Sequence, residues 1–199
     1  MNSKYKKENY VHLEDHWKKY MPNVLFQHYR KLFQGKIGDF GCNTGLFDIH
    51  LAEMERVNEV IGFDINEEAI KKAKEFAAVS PVKSKLKFHC QNLTEKIEYD
   101  SYFDFVICFH TIEHIYPEDV DDCVRNIFTS LKVGGYALIN LPDKHSYPWE
   151  ETHVFHPNKE ELSKLFEVHG FSTVEAYEDE RGGQVGHSRN ITALYLKEL

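Results

Sequence analysis

The chain is poor in the residues that mark a stapled, membrane-spanning or nucleic-acid-coating protein. It has four cysteines in 199 residues, Cys42, Cys90, Cys108 and Cys123, and no C-x-x-C spacing. Three of them lie in or beside apolar runs of strand length. This argues against a disulfide scaffold or a cysteine zinc site and for reduced, mostly buried thiols in a cytoplasmic protein. No apolar run approaches the roughly 20 residues that cross a bilayer. The opening stretch, Met1-Asn2-Ser3-Lys4-Tyr5-Lys6-Lys7-Glu8, is polar and lacks the apolar core of a secretion signal. Positive charge is also in deficit: 24 Lys and Arg against 32 Asp and Glu give a net charge of -8. Long nucleic acid is therefore a poor partner, because phosphate contacts supply most of that affinity and need a basic face. The bases near the start (Lys4, Lys6, Lys7, Lys18, Lys19, Arg30, Lys31) are interleaved with acids and read as a solvated helix face.

What is present is enough for one domain with a sizeable core, since 42% of the residues are hydrophobic. There are no repeats or low-complexity stretches. Apolar and aromatic residues between His12 and Phe33 recur at partly helical spacing, interrupted by Pro22, and residues 1–35 read as an N-terminal helical lid segment. Strands are expected at Lys36–Phe40, Glu59–Asp64, Leu86–Gln91, Phe103–Phe109, Tyr136–Leu141, Thr173–Tyr177 and Ile191–Leu196. Helices are expected at Leu46–Glu55, Glu67–Val79, Val120–Leu131 and Lys159–Val168. Asn66 is a natural N-cap for the second of these helices and Gly170 a natural stop for the last. Alternation of this kind predicts an α/β fold over residues 36–199: a Rossmann-like, doubly wound, seven-stranded sheet, mostly parallel, with helices on both faces.

The most informative stretch is Asp39-Phe40-Gly41-Cys42-Asn43-Thr44-Gly45. A strand stops abruptly in a glycine-rich turn and feeds a helix. Asp64 closes the next apolar run 19 residues after Gly45. A glycine turn lets backbone approach a nucleoside, and an acid at the end of the following strand accepts hydrogen bonds from ribose hydroxyls. The full G-x-G-x-x-G spacing is missing, with Asn43 at the middle position. Asn tolerates left-handed backbone better than other non-glycine residues. The ligand belongs outside the carboxyl ends of the strands, where the loops carry Phe109-His110-Thr111-Ile112-Glu113-His114 and then His145, His153 and His156.

Taken in order, these stretches resemble class I S-adenosylmethionine (SAM) dependent methyltransferases of the small-molecule, ubiquinone-pathway-like branch. The resemblance covers most of the chain. Asp39 to Gly45 looks like the first motif, Gly62-Phe63-Asp64-Ile65 the second, Phe103 to Cys108 the fourth strand, and Leu131-Lys132-Val133-Gly134-Gly135 with Tyr136 to Ile139 the turn and fifth strand. It implies SAM as cofactor, with Asp39, Gly41, Cys42, Asn43 and Gly45 on the methionine side and Asp64 and Ile65 at the ribose. Asn92 and Leu93 would form the adenine edge, with Asn92 standing where relatives often carry Asp, and Phe109 would lie near the methyl group. It also implies an antiparallel C-terminal edge strand.

The histidines leave two mechanisms open. His110-x-x-Glu113-His114 resembles the Glu-x-x-Glu-His pattern of the ubiquinone-pathway enzymes and of small-RNA 3'-end methyltransferases, with His110 replacing the first Glu. His153 sits in a segment resembling the one that carries the latter group's distal His. His110, Glu113, His114 and His153 would then hold a divalent metal, Mn, Zn, Fe or Mg, and three-and-four spacing puts the first three on one face if the segment is helical. Without metal, His110, or else His114, His145 or His153, serves as the general base that methyl transfer to a hydroxyl requires. Tyr147 and Trp149 offer aromatic faces to an acceptor, and Arg181 or Arg189 a charge for an anionic one. Tyr10, His12, Trp17 and Tyr20 are candidate pocket walls. The expected activity is methylation of a small-molecule or sugar hydroxyl. The alternatives are an RNA-terminal 2'-O-methyltransferase and a non-catalytic SAM-binding partner subunit.

Overall fold

The computed structural model describes residues 25–143, 151–179 and 189–198. Alternating strands and helices run α1 (Leu25–Tyr29), β1 (Gly35–Phe40), α2 (Leu46–Ala52), β2 (Val57–Asp64), α3 (Glu67–Val79), β3 (Leu86–Cys90), β4 (Phe103–Phe109), α4 (Val120–Ser130), β5 (Leu131–Pro142), α5 (Lys159–Val168), β6 (Phe171–Asp179) and β7 (Asn190–Lys197). One seven-stranded sheet has the order β3-β2-β1-β4-β5-β7-β6. The pairs from β3 to β5 are parallel, and β7 is antiparallel to both β5 and β6. The C-terminal antiparallel strand is thus slotted one place in, leaving β6 at the edge.

The central strands read as unbroken apolar runs because both faces are covered. Along β4, Val106 and Cys108 point to the layer built with Cys123, Val124 and Ile127 of α4 and Phe166 of α5. Phe105, Ile107 and Phe109 point to the opposite layer, with Leu51 of α2, Ile70 and Ala73 of α3, and Tyr29 and Phe33. Strand period 2 therefore feeds two cores at once. Most of the expected lid segment lies outside the described residues. Its last part is fixed to the sheet: Tyr29 and Phe33 are buried, and the Tyr29 hydroxyl donates to Glu175 Oε1 at 2.6 Å. Among the described residues, no helix is long and apolar enough to cross a membrane.

Helix ends follow local chemistry. Asn66 Oδ1 accepts from the amides of Glu68 (3.0 Å) and Ala69 (3.2 Å), satisfying two of the four unpaired N–H groups that open α3. Asn66→Ala is expected to cost about 1 kcal/mol, read as a lower denaturant midpoint with unchanged m. An unchanged midpoint would mean that the cap contributes nothing. α5 opens on a reciprocal capping box between Asn158 and Glu161 and gives way to Gly170 at φ 98°.

Candidate functional site

Register brings the relevant turns together. Asp39 on β1 is level with Gly62 on β2 and Ile107 on β4, so the turns after these three strands emerge side by side. The first turn carries three left-handed residues, Gly41 (φ 100°), Asn43 (49°) and Gly45 (68°). It is tied to β2 by the amides of Gly41 and Cys42, which both donate to the Phe63 carbonyl at 2.7 and 3.0 Å. Asn43 at φ > 0 turns its amide onto Asp64 Oδ2 (2.9 Å), while the Asn66 amide donates to Asp64 Oδ1 (2.8 Å). Each carboxylate oxygen keeps a further lone pair, so Asp64 is held rigidly and can still accept. Burial raises its pKa, opposed by those two amides and by the charge of His114.

The other residues expected on the cofactor side lie at or just after the carboxyl ends of β1, β2, β3 and β4. Ile65 is half-buried, and its carbonyl accepts from the Cys90 thiol at 3.6 Å. Leu93, Cys42 and Phe109 are buried, with the Phe109 ring centroid 5.8 Å from that of Phe47. Asn92 Oδ1 accepts from Thr94 N (3.1 Å) and Thr94 Oγ1 (3.0 Å). Both acceptor positions of the amide are occupied in this turn, so Asn92 has only its Nδ2 donor to offer a base edge.

The turn after β4 begins at His110, itself left-handed at φ 48°, with its amide donating to the Asn140 carbonyl at 2.7 Å. Such backbone in a bulky residue stores strain and clusters at functional sites. Ile112–His114 form a single 3-10 turn, not an α-helix. That short turn brings Glu113, His114 and His153 together, with one ligand atom from each within 4.8 Å of the others. His110 stands apart from this trio and meets it through Glu113, with Nδ1 3.3 Å from Oε1. Glu113 is 1% exposed and neither oxygen reaches hydrogen-bond geometry. Its burial acts to raise the pKa, yet His110 and His114 hold it below the ordinary glutamate range. His114 Nδ1 lies 3.1 Å from the Thr152 carbonyl, which fixes the proton on Nδ1 and leaves the lone pair on Nε2. The rings of His114 and His153 are edge to face at 4.9 Å, and exposed His156 is 6.3 Å beyond. The Glu113 carbonyl accepts from the amides of Val154 (2.8 Å) and Phe155 (3.1 Å), clamping the two loops together.

His145, Tyr147, Trp149 and Arg181 lie outside the described residues, as do Tyr10, His12, Trp17 and Tyr20. Arg189 is exposed and 3.9 Å from Glu178. Two contributors escaped the sequence reading. Thr152, which fixes the His114 tautomer, left no local signal. Asp48 did: it is an acid within Leu46-Phe47-Asp48-Ile49, on the same buried helix face as Leu51 and Ala52.

Comparison with known proteins agrees with this geometry. Residues 38–139 match the family described as "Methyltransferase domain", just over half of the chain. The chain is 30% identical over 134 residues to "Ubiquinone biosynthesis O-methyltransferase" of Rickettsia typhi, covering 66% of this chain and 49% of that protein. It is 32% identical over 108 residues to "Carboxy-S-adenosyl-L-methionine synthase" of Nautilia profundicola, covering 54% and 44%. The chain thus spans about half the length of the curated relatives it matches. Among solved structures, a SAM-dependent methyltransferase from Methanosarcina mazei superposes with a TM-score of 0.74 at 21% identity over 88% of this chain and 98% of that one. The [4+2]-cyclase SpnF does so with 0.76 at 15% identity, covering 88% and 80%. Likeness at such identities speaks to the fold alone. The family match over the strands and turns that build the crevice settles the class: the chain belongs to the class I SAM-dependent methyltransferases.

Proposed function

We propose that the protein transfers a methyl group from SAM to a hydroxyl of a small molecule, with His110 as general base. The observation carrying this is the left-handed glycine turn locked onto Asp64, a rigid seat for a ribose beside a turn rich in histidine. The seat fits the cofactor: Asp64 has unused lone pairs and the loop brings backbone close. Bound there, SAM supplies an activated methyl on a sulfonium. The rest falls to this chain's own groups, which align the acceptor and exclude water. The Glu113 carboxylate 3.3 Å from His110 Nδ1 electrostatically favours a proton on that nitrogen, which leaves Nε2 to take the acceptor's proton. Relatives named for ubiquinone biosynthesis O-methylation favour oxygen as the methyl acceptor, and catechols and sugars are the hydroxyls to screen.

A second reading rests on the trio of Glu113, His114 and His153. A buried carboxylate without a hydrogen bond and two imidazoles, one with its tautomer already set, form a donor set suited to zinc, manganese or iron. A divalent ion there would supply Lewis-acid polarisation of the acceptor hydroxyl. In that case Glu113→Gln and His114→Ala each lose stoichiometric Mn or Zn binding in calorimetry.

The test is SAM titration into metal-stripped protein, followed by S-adenosylhomocysteine formation against catechols and sugars, with and without manganese. SAM is expected to bind, and His110→Gln to lower kcat by about 100-fold with affinity nearly unchanged. Wild-type protein that ignores both SAM and S-adenosylhomocysteine would overturn the reading. Binding without turnover on any acceptor would point to a partner subunit, and a carboxylated SAM product to the chemistry named for the Nautilia relative.

A further inference from the structure

Behind the glycine turn lies a pair of acids that the mechanism above does not use. Asp39, at the end of β1, is 5% exposed, and Asp48, in α2, is 0% exposed. No donor among the described residues reaches hydrogen-bond geometry with either Asp48 oxygen. Electrostatically it acts on the Asp39 carboxyl, and Asp39 on it. Two carboxylates in contact inside a protein cannot both stay charged; sharing one proton turns repulsion into an O–H···O bond. Among the described residues, the other groups bearing on the pair bring no positive charge. Asp64 acts from β2, Cys42 from the turn and Cys108 from β4, and both thiols are held in their neutral form by burial and by these acids. A buried acid pair with no cation among the described residues, set at the first residue of the glycine-rich turn, is half of an interaction.

We propose that Asp48 is a positioning residue of the cofactor site, acting through Asp39: the pair holds one proton when empty and releases it to solvent when a cationic group of the ligand docks on the turn. The exchange balances, one proton leaving as one positive charge arrives. This rests on the cofactor reading above, in which SAM brings a sulfonium and an α-ammonium. Burial pushes the Asp48 carboxyl up to about 7 and raises Asp39 well above the ordinary carboxyl range, so the empty pair holds its proton under mildly acidic conditions. A carboxyl whose folded pKa is raised lends stability that is complete below the ordinary carboxyl range and is lost as pH rises through about 7. The ligand-free protein should therefore lose Tm through this pair between pH 5 and 7.5.

The test is calorimetric titration of SAM at pH 6.5 in phosphate and in Tris, whose ionisation enthalpies differ. At that pH the ligand's own amine, near 8, stays protonated. Wild-type protein is expected to release between about half and one proton per SAM. Its affinity should rise by up to about tenfold per pH unit below 7. Asp48→Asn, a neutral isostere of the protonated acid, should fold, bind SAM without net proton release and show a flatter Tm against pH. Infrared difference spectra give a readout that histidine titration cannot mimic: a protonated-carboxyl C=O band in the empty protein, weakened by SAM and absent in Asp48→Asn. Identical heats in the two buffers for wild-type protein, or proton release that survives in Asp48→Asn, would overturn this role while leaving the cofactor reading intact. Absence of any SAM binding would overturn both.

Discussion

Asp64→Ala is expected to weaken SAM binding by roughly 100- to 10,000-fold, measured by calorimetry. A carboxylate accepting from ribose hydroxyls makes charge-assisted bonds worth about 1.5–3 kcal/mol each, and two of them span that range. The loss has a second source in the empty protein. Asp64 also accepts from Asn43 and Asn66, so its removal frees the turn and the start of α3 together. Asp64→Asn is a sharper probe. One of its two oxygens becomes an amide NH2, a donor facing a backbone N–H, so it should break one tether and keep the other. Unchanged affinity in Asp64→Ala would sink the assignment of this crevice to a nucleoside cofactor.

Gly41→Ala should be nearly as damaging, through backbone and packing instead of charge. Gly41 sits at φ 100°, where side chains are rarely tolerated, and a Cβ there would lie 2.0 Å from Thr111 Oγ1. Thr111 cannot easily withdraw, because its hydroxyl donates to the Phe109 carbonyl at 2.9 Å. Backbone strain of about 1–3 kcal/mol and overpacking of about 1–3 kcal/mol add to roughly 2–6 kcal/mol, much of a typical domain's stability. The double variant Gly41→Ala/Thr111→Ala separates the two causes. It removes the clash and keeps the strain, so it should recover the packing part and show coupling in a denaturation cycle. A Gly41→Ala protein as stable as wild type would contradict the left-handed turn.

Where sequence and structure agree, the controlling physics is local. α3 runs from Glu67 to Val79 as read, because Asn66 caps it. β4 starts and stops as read, because an unbroken apolar run covered on both faces has few alternatives. Asn43 takes its left-handed form for the reason that made it acceptable in the motif. What escaped depends on pairing distant in sequence. Insertion of β7 between β5 and β6 is a matter of which edges meet, and period-2 patterns look the same either way. His110, Glu113 and His114 share one face only where the segment is α-helical. A 3-10 turn following a left-handed residue gives another geometry, in which His110 pairs with Glu113 while His114 turns to Thr152 and His153. Asp48 was legible only as a misfit, an acid on a face that otherwise goes inward.

The place of β7 also governs the order in which the protein can be made. Ribosomes deliver about 5–20 residues per second, and β6 emerges before the strand that must lie between it and β5. Until residues 190–197 are synthesised, β5 exposes the flank formed by Ala137 to Leu141, and β6 has no neighbour to join. The nascent chain therefore passes through an interval of about one second or more with an apolar strand edge open to other chains. Chaperone demand and aggregation during expression should concentrate in that interval, and slower translation just before residue 190 should lengthen it.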